Sequence, residues 1–150
     1  MTEGSSKDGP APDGLAQVQA ILAAGKQPPI GDTLDFRLIE VEYGRAVFEG
    51  APGRETYNPM GTVHGGYAAT LLDSACGIAT ASRLEAGETY TTLELKVAYH
   101  KAMSERTGTV RAEGVVITKG RRVAYAEAKL VDSDGRLLAS ATSTLLVMAA

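Results

Sequence analysis

The spacing of apolar residues changes period twice along this chain. Over Gly14–Ala24, Leu15, Val18, Ile21 and Leu22 fall at helical intervals, and Gly25 with Pro28-Pro29 supplies a stop, so a short amphipathic helix is expected. Phe36–Tyr43 and Arg45–Ala51 instead read with period two, Ile39, Val41 and Tyr43 alternating against Glu40 and Glu42; two strands should meet at a Tyr43-Gly44 turn. Val63 to about Leu84 is apolar or small nearly all round, which predicts one long buried helix that Gly87 ends. Period two then returns. Thr91, Leu93, Leu95, Val97 and Tyr99 alternate with Thr92, Glu94 and Lys96, and Val110–Ile117, Arg121–Val131 and Arg136–Met148 are further strands. Lys119-Gly120 and Asp132-Ser133-Asp134-Gly135 between them are turn material that favours antiparallel hairpins. The order β-β-α-β-β-β-β predicts an α+β domain: an antiparallel sheet of five to six strands on one long central helix.

Residues 1–13, with Gly4, Ser5, Ser6, Gly9, Pro10 and Pro12, hold too little apolar surface to repay ordering and are expected to form a disordered tail. Residues 14–150 then make one domain, consistent with 44% hydrophobic and 22% charged residues, and no repeat or linker divides it. No run approaches ~18 consecutive apolar residues and the N-terminus lacks a basic-then-apolar leader, so a soluble, cytoplasmic protein is expected. Cys76 is the only cysteine, which rules out an internal disulfide or a thiolate zinc cluster built by one chain. Two histidines, His64 and His100, are too few for a histidine-rich site, and no metal is expected. A net charge of -3 without tryptophan offers no attraction for nucleic acid or an anionic membrane. Lys119-Gly120-Arg121-Arg122 is the local exception, either a solvated hairpin turn or a phosphate-binding one.

Candidate chemistry concentrates in Asn58-Pro59-Met60-Gly61-Thr62-Val63-His64-Gly65-Gly66 and the helix it opens. Asp73 lies seven residues beyond Gly66, two helical turns along the same face, with small neighbours Ala69, Thr70, Cys76, Gly77 and Thr80 that leave a path to its carboxylate. A lone acid on an apolar helix is costly to bury. Asp73 therefore either accepts structural hydrogen bonds at a helix or subunit contact, or performs chemistry. The glycines either make a tight turn or leave backbone N–H groups free at a helix start, where they can stabilise a developing oxyanion. His64 has no acidic or cysteine partner nearby in sequence, so a loop-positioning role is weighed against proton transfer. Asn58 before Pro59 is a turn former, or an orienter of water or carbonyl if it faces Asp73.

The pattern Asn58-x6-Gly65-Gly66-x6-Asp73 with His64, then Thr91 through Tyr99 and Lys119 through Ala128, closely resembles the hot-dog acyl-CoA thioesterases, nearest the phenylacetate-pathway and hydroxybenzoyl-CoA branch. The resemblance spans about residues 34 to 148. It implies a curved sheet wrapped around the long helix, dimers often paired into tetramers, and sites at the subunit interface. It assigns Asp73 as general base or nucleophile, Gly65 N–H as the group polarising the thioester carbonyl, with Gly66 beside it, and Asn58 as the positioning loop amide. A strand hydroxyl from the neighbouring subunit orients water; Thr92 is the choice and Thr91 the alternative. Lys119, Arg121 and Arg122 would take the phosphates of CoA. Some relatives carry Glu where Asp73 stands, and the shorter side chain favours water activation over direct attack. The reaction implied is hydrolysis of an acyl- or aryl-CoA thioester to acid and CoA without a cofactor. A hot-dog hydratase or dehydratase using His64 with Asp73, and a non-catalytic acyl-CoA binder, are the rival readings.

Overall fold

A computed structural model describes residues 10–150. Most of the expected tail, residues 1–9, lies outside them; its end, Asp13, is the N-cap of α1 (Gly14–Ala23), accepting the Ala16 N–H at 2.9 Å. Pro28-Pro29, expected only as a stop, also starts α2 (Pro29–Leu34). A proline at the first helical position lacks only an N–H that would be unpaired there, and its fixed φ suits the helix.

The two expected N-terminal strands are β1 (Phe36–Glu42) and β2 (Arg45–Gly50), joined at Gly44 with φ 80°. The long helix is α3 (Gly65–Ala81), and after it come β3 (Glu88–Tyr99), β4 (Val110–Lys119), β5 (Val123–Asp132) and β6 (Leu137–Ala149). All six strands form one antiparallel sheet in the order β1-β2-β4-β5-β6-β3, so β3 crosses to the far edge. α3 packs on the concave face of this sheet, and α1 lies across α3 and β1.

What lets α3 settle so close is the absence of side chains between it and the sheet centre. Ala112, Ala124, Ala126 and Ala128 on β4 and β5 are buried, as are Ala68, Ala75 and Ala79 on the helix. Gly114 on β4 meets the Ala75 carbonyl so closely that an added Cβ would fall on the carbonyl and lie 2.8 Å from Cys76 N. Around this alanine centre Leu71, Leu72, Leu130, Leu138 and Leu145 fill the core. Both ends of the helix are tied: Gly44 N–H donates to Ser82 Oγ at 2.7 Å, and His64 N–H to the Thr56 carbonyl at 2.7 Å.

One strand departs from simple alternation. The β3–β6 register slips between Thr92 and Glu94, a bulge at Leu93. Leu95 and Val97 still pack toward the core, but below the bulge the parity reverses: Tyr90 and Thr92 face the helix, and Thr91 and Leu93 are exposed. The expected pairing of Thr91 and Leu93 with the Leu95–Tyr99 face is thereby corrected.

Gly114→Ala should lower unfolding free energy by about 3 kcal/mol, because the new methyl meets rigid helix backbone. Gly120→Ala, where the nearest atom to a Cβ is 3.5 Å away, is the matched control and should change little. Denaturant titration of the two variants checks this.

Candidate active site

Asp73 projects from the middle of α3 toward β3, half-buried. Thr92 Oγ1 donates to Asp73 Oδ1 at 3.0 Å, within the same chain. Of the two threonine candidates it is Thr92 that meets the acid, while Thr91 is exposed on the other face of the strand. Oδ2 accepts no hydrogen bond among the described residues, and no cation pairs with the carboxylate. Both side chains line a cavity of about 570 Å³ whose other walls are mainly apolar, among them Leu38, Phe48 and Ile78. Acid and hydroxyl therefore sit together on the wall of an apolar chamber.

The same charge marks its neighbours. Burial, and then the Asp73 charge, push the Tyr90 phenol up to about 12. Cys76, fully buried, is raised to about 12 by burial foremost and by Asp73 and Glu127 after it. Tyr67, beneath the helix start, is raised further by burial and then by Asp35 and Glu55.

The glycine pair does different work at each position. His64 is the N-cap of α3, its Nδ1 accepting the Gly66 N–H at 2.8 Å. Gly66 N–H is therefore consumed, and exposed His64 acts as a cap, the positioning role weighed for it. Gly65 N–H has no acceptor among the described residues. Its carbonyl accepts the Tyr99 hydroxyl at 2.7 Å, and an added Cβ would lie 2.9 Å from the exposed tip of the Tyr99 side chain, which would have to move aside. Gly65 opens onto a second cavity of about 330 Å³ that includes Tyr99 and Met103 but not Asp73.

Sharing a helix face does not bring Gly65 and Asp73 into one reaction centre. Eight residues at 1.5 Å rise separate them by ~12 Å along the axis.

Asn58 stands at the glycine end, away from Asp73. Its Oδ1 accepts Met60 N–H at 2.9 Å and Thr62 N–H at 3.2 Å, and its Nδ2 donates to Thr62 Oγ1 at 3.0 Å. These bonds close the turn over residues 58–62. Lys119 is paired with Glu88 at 3.1 Å, its side chain only 11% exposed, so its charge is already spent. Arg121 and Arg122 are exposed and line neither cavity.

Tyr90 and Tyr99 belong to this region and carried no expectation of a role, and Gly77 was expected only as one of the small neighbours that leave a path to Asp73. One signal was present: a glycine in a helix interior costs roughly 1 kcal/mol against alanine and so points to close approach. Tyr90 provides it, its hydroxyl 2.7 Å from where a Gly77 Cβ would stand. Among the described residues no group of histidine, cysteine, aspartate and glutamate is placed to hold a metal, and no helix is long and apolar enough to cross a membrane.

Comparison with known proteins defines the class. A model of the thioesterase superfamily matches residues 60–139, more than half of the chain. A 1,4-dihydroxy-2-naphthoyl-CoA hydrolase of Listeria monocytogenes is 30% identical over 116 residues, covering 77% of this chain and 93% of that protein. A thioesterase family protein from Silicibacter pomeroyi superposes with TM-score 0.79 at 27% identity, covering 91% of this chain and 99% of the other. The PaaI protein of the E. coli phenylacetic acid degradation operon, at 18% identity and TM-score 0.77 over 87% of this chain and 92% of its own, shares the fold. The chain belongs to the thioesterase superfamily: it has the hot-dog fold and is a thioester hydrolase.

Stability should respond to the buried acids of high pKa. Cys76 and Tyr90 keep their protons in the folded state to about 12, whereas their ordinary values are 9.0 and 10.0. Between those limits the folded chain holds more protons, so stability is intact below about pH 9 and falls as pH rises toward 12. Urea midpoints measured across that range should be level to about pH 8.5 and then decline, less steeply in Cys76→Ala.

Proposed function

We propose that the protein hydrolyses an acyl- or aryl-CoA thioester to the free acid and CoA, in a site completed by two copies of the chain. The carrying observation is the Thr92–Asp73 hydrogen bond on the wall of an apolar chamber. Asp73, through its unpaired oxygen, takes a proton from water as that water attacks the carbonyl carbon, and Thr92 holds the carboxylate in place. Gly65 N–H of the other copy holds the oxyanion, a donor of about 3 kcal/mol in such sites. Collapse of the tetrahedral intermediate breaks the C–S bond, and the proton held by Asp73 passes to the leaving CoA thiolate, which releases CoA as the thiol and restores the carboxylate. No cofactor takes part in this scheme.

Two features support division of the site between protomers. The axial separation of Asp73 and Gly65 argues against a one-chain site. The other is the edge strand β3, twelve residues long with one side unpaired, whose pairing with a second copy would set two helices side by side. Arg121 and Arg122 are the cations left for the CoA phosphates once Lys119 is paired with Glu88. Use of His64 as a cap, together with family membership, favours hydrolysis over hydration and over simple binding.

Asp73→Asn and Gly65→Pro should each reduce kcat about 10³-fold, the proline removing the N–H at the first helical position while the exposed Tyr99 phenol swings aside. A heterodimer carrying one substitution in each protomer should regain about half of the wild-type rate, since one intact pair is reassembled. Activity as low as that of either parent variant would place both groups of a working site in one chain. Separately, Thr92→Val should lower kcat by about tenfold with loss of a hydrogen bond to a charged group. Thr91→Val, on the opposite face, should stay within about twofold in the same thiol-release assay.

A further inference from the structure

The chamber beside Asp73 extends in one direction only along α3. Its helix lining is Asp73, Ser74, Gly77 and Ile78, so it runs about one turn from the acid toward the C-terminus, away from Gly65. There it is closed by Val18 and Ile21 of α1, a helix outside the 60–139 span that matches the superfamily. Val18 is buried in the core, whereas Ile21 remains 47% exposed. An apolar side chain so placed on the rim of an apolar chamber gains burial when a ligand covers it. Gly77, which has no side chain, and the Tyr90 phenol that lies over it form another part of the lining.

Resting on the hydrolase reading above, we propose that α1, through Ile21, selects the acyl group and that the substrate carries an extended apolar acyl chain or ring system. The chamber is continuous with Asp73 and Thr92, and its mainly apolar lining suits the acyl group on the carbonyl carbon rather than the polar pantetheine arm on the sulfur. At about 570 Å³ it has the volume of sites that engulf drug-sized molecules, and an acetyl group would leave most of it unfilled. A larger apolar acyl group reaches Ile21 and buries it. Anchoring of α1 suits this role: Gly14 N–H donates to the Leu84 carbonyl at 2.9 Å, fixing the helix to the end of the α3 segment.

The test compares kcat/KM for decanoyl-CoA, benzoyl-CoA and acetyl-CoA in wild type, Ile21→Asn and Gln19→Asn, the last an exposed position of α1 outside the chamber. Wild type should prefer decanoyl- or benzoyl-CoA over acetyl-CoA by more than about tenfold. Ile21→Asn should cut that preference about tenfold, mainly through KM, and Gln19→Asn should keep it. The larger loss between the decanoyl and benzoyl arms identifies chain or ring. Binding of S-decyl-CoA, a thioether that cannot be hydrolysed, should weaken about tenfold in Ile21→Asn alone, by calorimetry. A preference for acetyl-CoA, or an Ile21→Asn preference and thioether affinity within twofold of wild type, overturns the assignment of α1. Absence of thiol release with Ile21-dependent thioether binding would instead overturn the hydrolase reading and leave the acyl wall standing.

Discussion

Backbone-to-backbone contact between α3 and Gly114 is the constraint from which the rest of the arrangement follows. No side chain stands between helix and strand there, so both the axial position and the rotation of α3 are fixed by hard contact rather than by deformable packing. The alanines of β4 and β5 extend that contact along the sheet. With one face of the helix held so closely, the face carrying Asp73 and Gly77 must look toward β3 and α1, and Gly65 must meet Tyr99.

Close approach has an energetic consequence. Small side chains bury little apolar area each, so the leucines that flank the alanine centre carry most of the hydrophobic stabilisation. The polar groups of the site are spared this burial: Asp73 opens on a cavity, and His64 spends its lone pair on the Gly66 N–H at the helix start. Packing against β4 and β5 and access to the cavity thus fall to different faces of one helix.

β3 unites the site elements. It is an edge strand, it contributes Tyr90, Thr92 and Tyr99, and its bulge at Leu93 sets which of two adjacent threonines meets the acid. Without the extra residue, Thr91 would share the face of Leu95 and Val97, as plain alternation implies. The site thus depends on an irregularity in a strand whose outer edge is open, and that edge is also where a second copy could bring its own glycine N–H to the acid.

Much of this was legible in the amino-acid order, because periodicity and turn chemistry are local. The 3.6-residue and two-residue patterns located α1, α3 and all six strands to within a few residues, and Gly44, Gly120 and Asp132–Gly135 marked hairpins through their backbone preferences. α2 escaped because proline both stops and starts helices. The motif around His64, Gly65, Gly66 and Asp73 located the start of α3 and the acid at its middle. It could not measure distance: residues seven or eight apart share a face yet stand two turns apart, and only folding shows that each opens on its own cavity. Thr92 over Thr91, the pairing of Lys119 with Glu88, and the approach of α1 to the chamber were likewise decided by tertiary structure. Each depends on contacts between segments remote in sequence, to which no local pattern is sensitive.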